Sequence, residues 1–298
     1  MGRTPSPTVY GGHERLRDGE RRLSVYCAVP SRSGSPVYEF QHIAAALYFA
    51  AGIGAILGLV LPAPRMLVGA RVGLALGAVV QALAFATLHR LDPAPDLTDL
   101  AQAVSVMAWL AVIFGLVLVA RIQLPGFVPA LSFTAFLAAF AATLSHGGGA
   151  AASAANGGVP HAHVLLASAG LAALGLAGLA GLFFLVEHRS LKRRRSVARR
   201  IPLPSLEALD RVNRVALAVG FPLLTFGVVT GVLWNEARSG QALAGGLHET
   251  WTVVAWLIYL GLVGLRFLGR QGARQAAASA LAGFAFLVFA VVGVGLVS

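Results

Sequence analysis

Histidine and tryptophan are the side chains through which this sequence could do chemistry. His161 and His163 stand two residues apart in the segment HAH, and His248 lies in a short polar, Gly-rich stretch between two apolar runs. That stretch, WNEARSGQALAGGLHETWTVVAWLIY (234–259), gathers three of the four tryptophans, Trp234, Trp251 and Trp256. Imidazole ligates metals and titrates near neutral pH. Two histidines in a Gly/Ala context fall short of the three or four protein ligands of a zinc site. The lone cysteine, Cys27, rules out an intrachain disulfide, a CxxC redox pair and a cysteine-based zinc or iron–sulfur centre. No HExxH, Walker loop, dinucleotide fingerprint or nucleophile triad is present. Glu249, at the start of an apolar run, reads as an anion favoured by a helix N-terminus.

The elements that must position these residues are membrane spans. The chain has 298 residues, 57% hydrophobic and only 12% charged, with a mean hydropathy of +0.76. A soluble domain carries about 25% charged residues, so there is too little polar surface here to coat a water-soluble particle. Apolar runs near 20 residues predict an all-α, polytopic integral membrane protein with eight transmembrane helices. The spans are expected at 42–61, 66–88, 100–120, 127–144, 164–186, 215–233, 250–268 and 273–297 of a single membrane domain, 37–298. Small residues such as Gly73 and Gly77, or Gly175, Gly178 and Gly181, predict close helix packing. Asn213, Thr225 and Thr230 are expected as polar contacts between helices, and Pro222 as a kink. Residues 1–36 are polar and rich in Pro, Ser, Gly and Arg. They read as a disordered tail, or as a mis-called start, with translation beginning near Val37.

Lys and Arg set the orientation. The basic loop 188–211, with Arg189, Lys192, Arg193, Arg194, Arg195, Arg199 and Arg200, must be cytoplasmic. Arg65, Arg121, Arg266, Arg270 and Arg274 then fall inside as well. The loops 89–99, 145–163 and 235–249 are poor in Lys and Arg and fall outside. The net charge of +11 is thus a topology signal, and no nucleic-acid partner is expected. The outer surface collects His89, His146, His161, His163 and His248, with His42 at the outer end of the first span. No acidic residue sits mid-span, which argues against an ion-coupled carrier.

The segment LPSLEALDRVNRVALAVGFPLLTFGVVTGVLW (203–234), followed after a short gap by TW and VVAWLIYLGLVGLR, resembles the cytochrome c assembly family of the CcsA/CcmC type. The likeness is closest to its eight-span, HemX-like branch. LHRLDPAPDLTDLAQAVSVMAWLAV (88–112) and HAHVLLASAGLAALGLAGLAGLFFL (161–185) are similar to further parts of that branch. The resemblance implies haem at the outer surface, stacked on a tryptophan-rich loop of the form WGxxWxWDPKETW and ligated by outward-facing histidines. On this sequence those residues are His161, His163, His89 and His248, with Trp251 as ring contact or interfacial anchor. Gly240 and the Glu249-Thr250-Trp251 end of the loop are kept. Ser239, Leu243 and Gly245 stand where the family has tryptophans, Gly246 where it has Asp, and Gly264 where many members have a histidine.

Two functions are implied. In the first, the chain is a cytochrome c biogenesis protein of the bacterial inner membrane. It presents haem at the outer face to apocytochrome c, acting with a partner assembly subunit, as a haem-handling component rather than a stand-alone enzyme. In the second, it is a HemX-like accessory or regulator of haem biosynthesis or cytochrome assembly that holds no haem. Beyond haem iron, no metal is expected.

Overall fold

Apolar helices whose backbone groups are satisfied internally are what this composition can build in lipid. The computed structural model describes residues 36–88, 100–122, 124, 126–145, 158–192, 204–241, 246–269 and 271–297. These fold into α1 (Pro36–Val60), α2 (Pro64–Leu88), α3 (Leu100–Arg121), α4 (Phe127–Ser145), α5 (Gly158–Lys192), α6 (Leu206–Ser239), α7 (Leu247–Phe267) and α8 (Ala273–Val297). All eight are long and apolar enough to cross a membrane. The all-α, multi-pass architecture expected from hydropathy is the one observed. Apart from Pro36, which opens α1, the tail expected at 1–36 lies outside the described residues. The loop 89–99 and the basic run 193–203 do too.

The eight helices form two four-helix groups of like connectivity. In the first, α1 packs on α2 and α4, and α3 closes the ring against α2 and α4. In the second, α5 packs on α6 and α8, and α7 closes the ring against α6 and α8. Contact between α3 and α5 joins the groups, and the broadest helix–helix interface is α5 against α6. No sequence repeat accompanies this repeated arrangement.

Glycine makes the tight interfaces. A Cβ at Gly170 would sit 2.5 Å from the backbone nitrogen of Leu224, and one at Gly227 would sit 2.8 Å from the backbone of Ala167. The backbones of α5 and α6 therefore touch, as small residues permit in membranes. The expected glycines act similarly. Gly175, Gly178 and Gly181 receive Phe284 and Ala277 of α8, while Gly73 and Gly77 receive Ala51 and Tyr48 of α1.

Polar contacts pin the helices in register. Buried Asn213 of α6 donates to the carbonyl of Ala177 in α5 at 3.0 Å. Trp256 of α7 donates from Nε1 to Thr225 Oγ1 of α6 at 3.0 Å and stacks on Phe221 at 6.0 Å. Thr230 turns back instead to its own helix, donating to Phe226 and Gly227 carbonyls. In the first group, Tyr48 donates to Gln81 at 2.7 Å, and Gln81 donates to Ser105 Oγ at 2.9 Å.

Helices α5 and α6 run well past the spans expected at 164–186 and 215–233. Their ends are polar, so hydropathy does not register them. Ser205 caps α6 by accepting from the Ala208 amide at 3.2 Å. The pairs Glu207–Arg211 and Asp210–Arg214 then support its first turns at i, i+4. At the far end Gly240 stops the helix with a left-handed φ of 71°, a conformation glycine adopts without steric cost. That gives the retained Gly240 a structural reason. The loop expected over 235–249 is correspondingly short: 235–239 belong to α6 and 247–249 to α7.

Candidate functional site

His163 lies in the second turn of α5, facing the last turns of α6. Its Nδ1 is 2.7 Å from the carbonyl oxygen of Gly227. A carbonyl only accepts, so Nδ1 carries the proton, and in the neutral ring Nε2 has the lone pair. This is how backbone oxygens orient ligating histidines and fix their tautomer. The ring fits because position 231 has no side chain: a Cβ there would lie 2.7 Å from His163 Cε1 and 2.8 Å from Nδ1. One turn further along α6, the indole of Trp234 stands 6.3 Å from the imidazole, centroid to centroid, at an interplanar angle of 32°. The guanidinium of Arg238 lies over the Trp234 ring at 5.9 Å.

The structure brings together fewer of the expected residues than the sequence proposes. His161 and His163 both fall inside α5, so their spacing of two puts them about 200° apart around the helix. They cannot share one ligand from a single side. His89 lies outside the described residues, and so do His146, Leu243 and Gly245. His248 sits in the first turn of α7, and its side chain is likewise outside what is described. Trp251 packs on α8, 5.8 Å from Phe286 and 5.9 Å from Phe289. Glu249 accepts from Asn235 Nδ2 at 3.0 Å. It thereby ties the end of α6 to the start of α7, in keeping with its structural reading.

Four residues of the site were not singled out from the sequence: Gly227, Gly231, Trp234 as a ring neighbour, and Arg238. Gly227, Gly231, Trp234 and Arg238 fall at i, i+4, i+7 and i+11, on one face of α6. The G-x-x-x-G spacing of GVVTG was the available signal. Chemically the set comprises one imidazole nitrogen with its lone pair held ready, one indole face and one cation. The imidazole fits a single axial bond to haem iron, and the indole, 32° from the imidazole plane, would meet such a ring at its edge. Among the described residues no group of three or more His, Cys, Asp or Glu side chains could hold a bare metal ion.

Comparison with known proteins agrees with the resemblance. The model of the family described as "Cytochrome C assembly protein" matches residues 97–298, taking in α3 to α8 and with them His163, Trp234 and Arg238. The chain is 32% identical over 96 residues to the cytochrome c biogenesis protein CcsA of Prochlorococcus marinus, covering 32% of this chain and 30% of that protein. It is 31% identical over 90 residues to the CcsA of Thermosynechococcus vestitus, covering 30% and 28%. For the CcsA of Microcystis aeruginosa the figures are 30% over 90 residues, covering 30% and 27%. The matched segment thus spans under a third of each relative's length. With well over half of its length matched by the family model, and with eight apolar helices to match, the chain belongs to the cytochrome c assembly protein family.

Proposed function

We propose that this chain handles haem at one face of the membrane during cytochrome c biogenesis, with His163 supplying an axial nitrogen to the iron. The observation that carries this reading is the Nδ1–H bond from His163 to Gly227 O at 2.7 Å, which leaves Nε2 as the basic nitrogen. Trp234 supplies an apolar indole beside it. The excess of Lys and Arg around 188–211 supports a cytoplasmic placement of that segment in a bacterial inner membrane. His163 and the end of α6 then face outward, where apocytochrome c and a partner assembly subunit would meet the bound haem. Haem is the cargo here, and its ring carries the groups that become attached to apocytochrome.

The test is spectroscopic. Protein purified in detergent and loaded with haem is expected to show a Soret band. His163→Ala is expected to remove it, whereas His161→Ala, on another face of α5, leaves it in place. A band indifferent to His163→Ala refutes the assignment. The HemX-like accessory reading draws on a separate observation: Trp251 is committed to α8, and Ser239 stands at one lost tryptophan position. A wild-type protein that stays colourless, yet co-purifies with haem-synthesis or maturation enzymes, supports that reading.

A further inference from the structure

One cation at this site is not used by axial ligation. Arg238 is exposed in the last turn of α6, four residues beyond Trp234 and on the same helical face. Its guanidinium lies over the indole at 5.9 Å, and the same indole neighbours His163. Among the described residues no acidic side chain forms an ion pair with it. The ion pairs of α6 are at the opposite end, in Glu207–Arg211, Asp210–Arg214 and Asp210–Arg266.

A basic residue in the last turn complements the helix dipole wherever it points. That general preference does not account for a guanidinium laid over the one indole that neighbours His163. In order along α6, the site offers the carbonyl that orients the imidazole (Gly227), the gap that admits it (Gly231), an apolar indole (Trp234) and a cation that no carboxylate among the described residues pairs with (Arg238). From Gly231 to Arg238 is about 10 Å of helix axis. A ligand complementary to this series is bound through a metal, has an apolar edge and carries an acidic group there.

We propose that Arg238 pairs with a carboxylate of the bound haem. Arg238 thereby selects haem bearing free propionates and takes over part of the holding role that tryptophan has elsewhere in the loop. The proposal rests on the haem reading of the same site. Guanidinium matches a carboxylate with two parallel hydrogen bonds, and its placement over an indole preorganises the side chain for the contact.

The experiment titrates the full-length protein in detergent with two probes, ferric haem and its dimethyl ester. The ester keeps the iron and the ring but masks both carboxylates. Wild type is expected to bind haem at least about tenfold more tightly than the ester, with that preference shrinking as salt rises. Arg238→Ala is expected to bind the two probes alike, at the wild-type affinity for the ester. Arg238→Lys should recover part of the preference, and Arg238→Glu should reverse it. Equal binding of both probes by wild type overturns the carboxylate pairing, whatever the variants do, and leaves His163 ligation standing. A preference that persists in Arg238→Ala also overturns it. If wild type binds neither probe, the haem reading fails and this inference fails with it.

Discussion

At His163 the deciding partner is a backbone oxygen. Gly227 O takes the Nδ1 proton, and the absence of a side chain at residue 231 leaves room for the ring. A methyl group at that position would lie 2.7–2.8 Å from the imidazole, closer than packed atoms approach, so the ring has to swing off the Gly227 carbonyl. Gly231→Ala is therefore expected to weaken haem binding roughly tenfold, equivalent to about 1.4 kcal/mol. The Soret titration of the purified variant measures this. Gly261→Ala is the matched control, because a Cβ there meets nothing within 4 Å. Equal losses in both variants would trace the effect to helix glycine in general rather than to the imidazole. The sequence alone reveals which residue types are available here, but not which face each presents. His161 and His163 look like a pair until α5 is seen to begin at Gly158, ahead of both. Trp251 belongs to the same tryptophan group as Trp234, yet its neighbours are Phe286 and Phe289, about 35 residues away in the chain.

Helix existence is legible in hydropathy, since every expected span overlaps an observed helix. The ends are less so, because they are set by local polar chemistry. Ser205, the i, i+4 ion pairs and Gly240 carry α6 to 34 residues, while the apolar signal marks only the portion suited to lipid. Pairing between helices is legible only where small residues are closely spaced. Gly175, Gly178 and Gly181 announce one interface, that with α8. The contact that positions His163 depends instead on Gly170 and Gly227, which lie on different helices and form no motif together. At Gly170 the obstruction to a side chain is the backbone of Leu224, which cannot rotate aside as a side chain can. Gly170→Leu is accordingly expected to push α5 from α6 and to destabilise the protein by about 1–3 kcal/mol. His163 should lose Gly227 as part of the same movement, so a lower melting temperature in detergent and a weaker Soret band are expected together. Wild-type melting and binding in this variant would show that the interface gives way elsewhere.

Across the whole molecule, polar groups gather at both ends of the second four-helix group, and they serve different ends. His163, Trp234 and Arg238 lie at one end. At the other, Asp210 receives Arg214 at 2.8 Å and Arg266 at 2.5 Å. Asp210 and Trp234 are separated by about 36 Å of helix at 1.5 Å per residue. The Arg266 side chain is only 6% exposed, and it also donates to the Gln271 carbonyl at 3.4 Å. One guanidinium thus holds the start of α6, the end of α7 and the approach to α8. Arg266 is read from the sequence as one of several charges that set orientation, and nothing in the sequence links it to a carboxylate 56 residues earlier. Charge counting registers the sign of a residue at a membrane boundary, whereas the ion pair depends on the ring closure of α6 against α7. Removing the carboxylate strands a buried charge, so Asp210→Asn is expected to cost about 3–5 kcal/mol. Adding Arg266→Met to that variant should restore much of the loss, because the stranded charge is then gone and an apolar side chain of similar length fills its place. Thermal melts followed by size-exclusion chromatography in detergent report both changes. Protein of the Asp210→Asn variant that remains folded should still bind haem with wild-type affinity, since the site lies at the opposite end of α6. A double variant no more stable than Asp210→Asn alone would assign the loss to Asp210 and its contact with Arg214 rather than to the stranded Arg266.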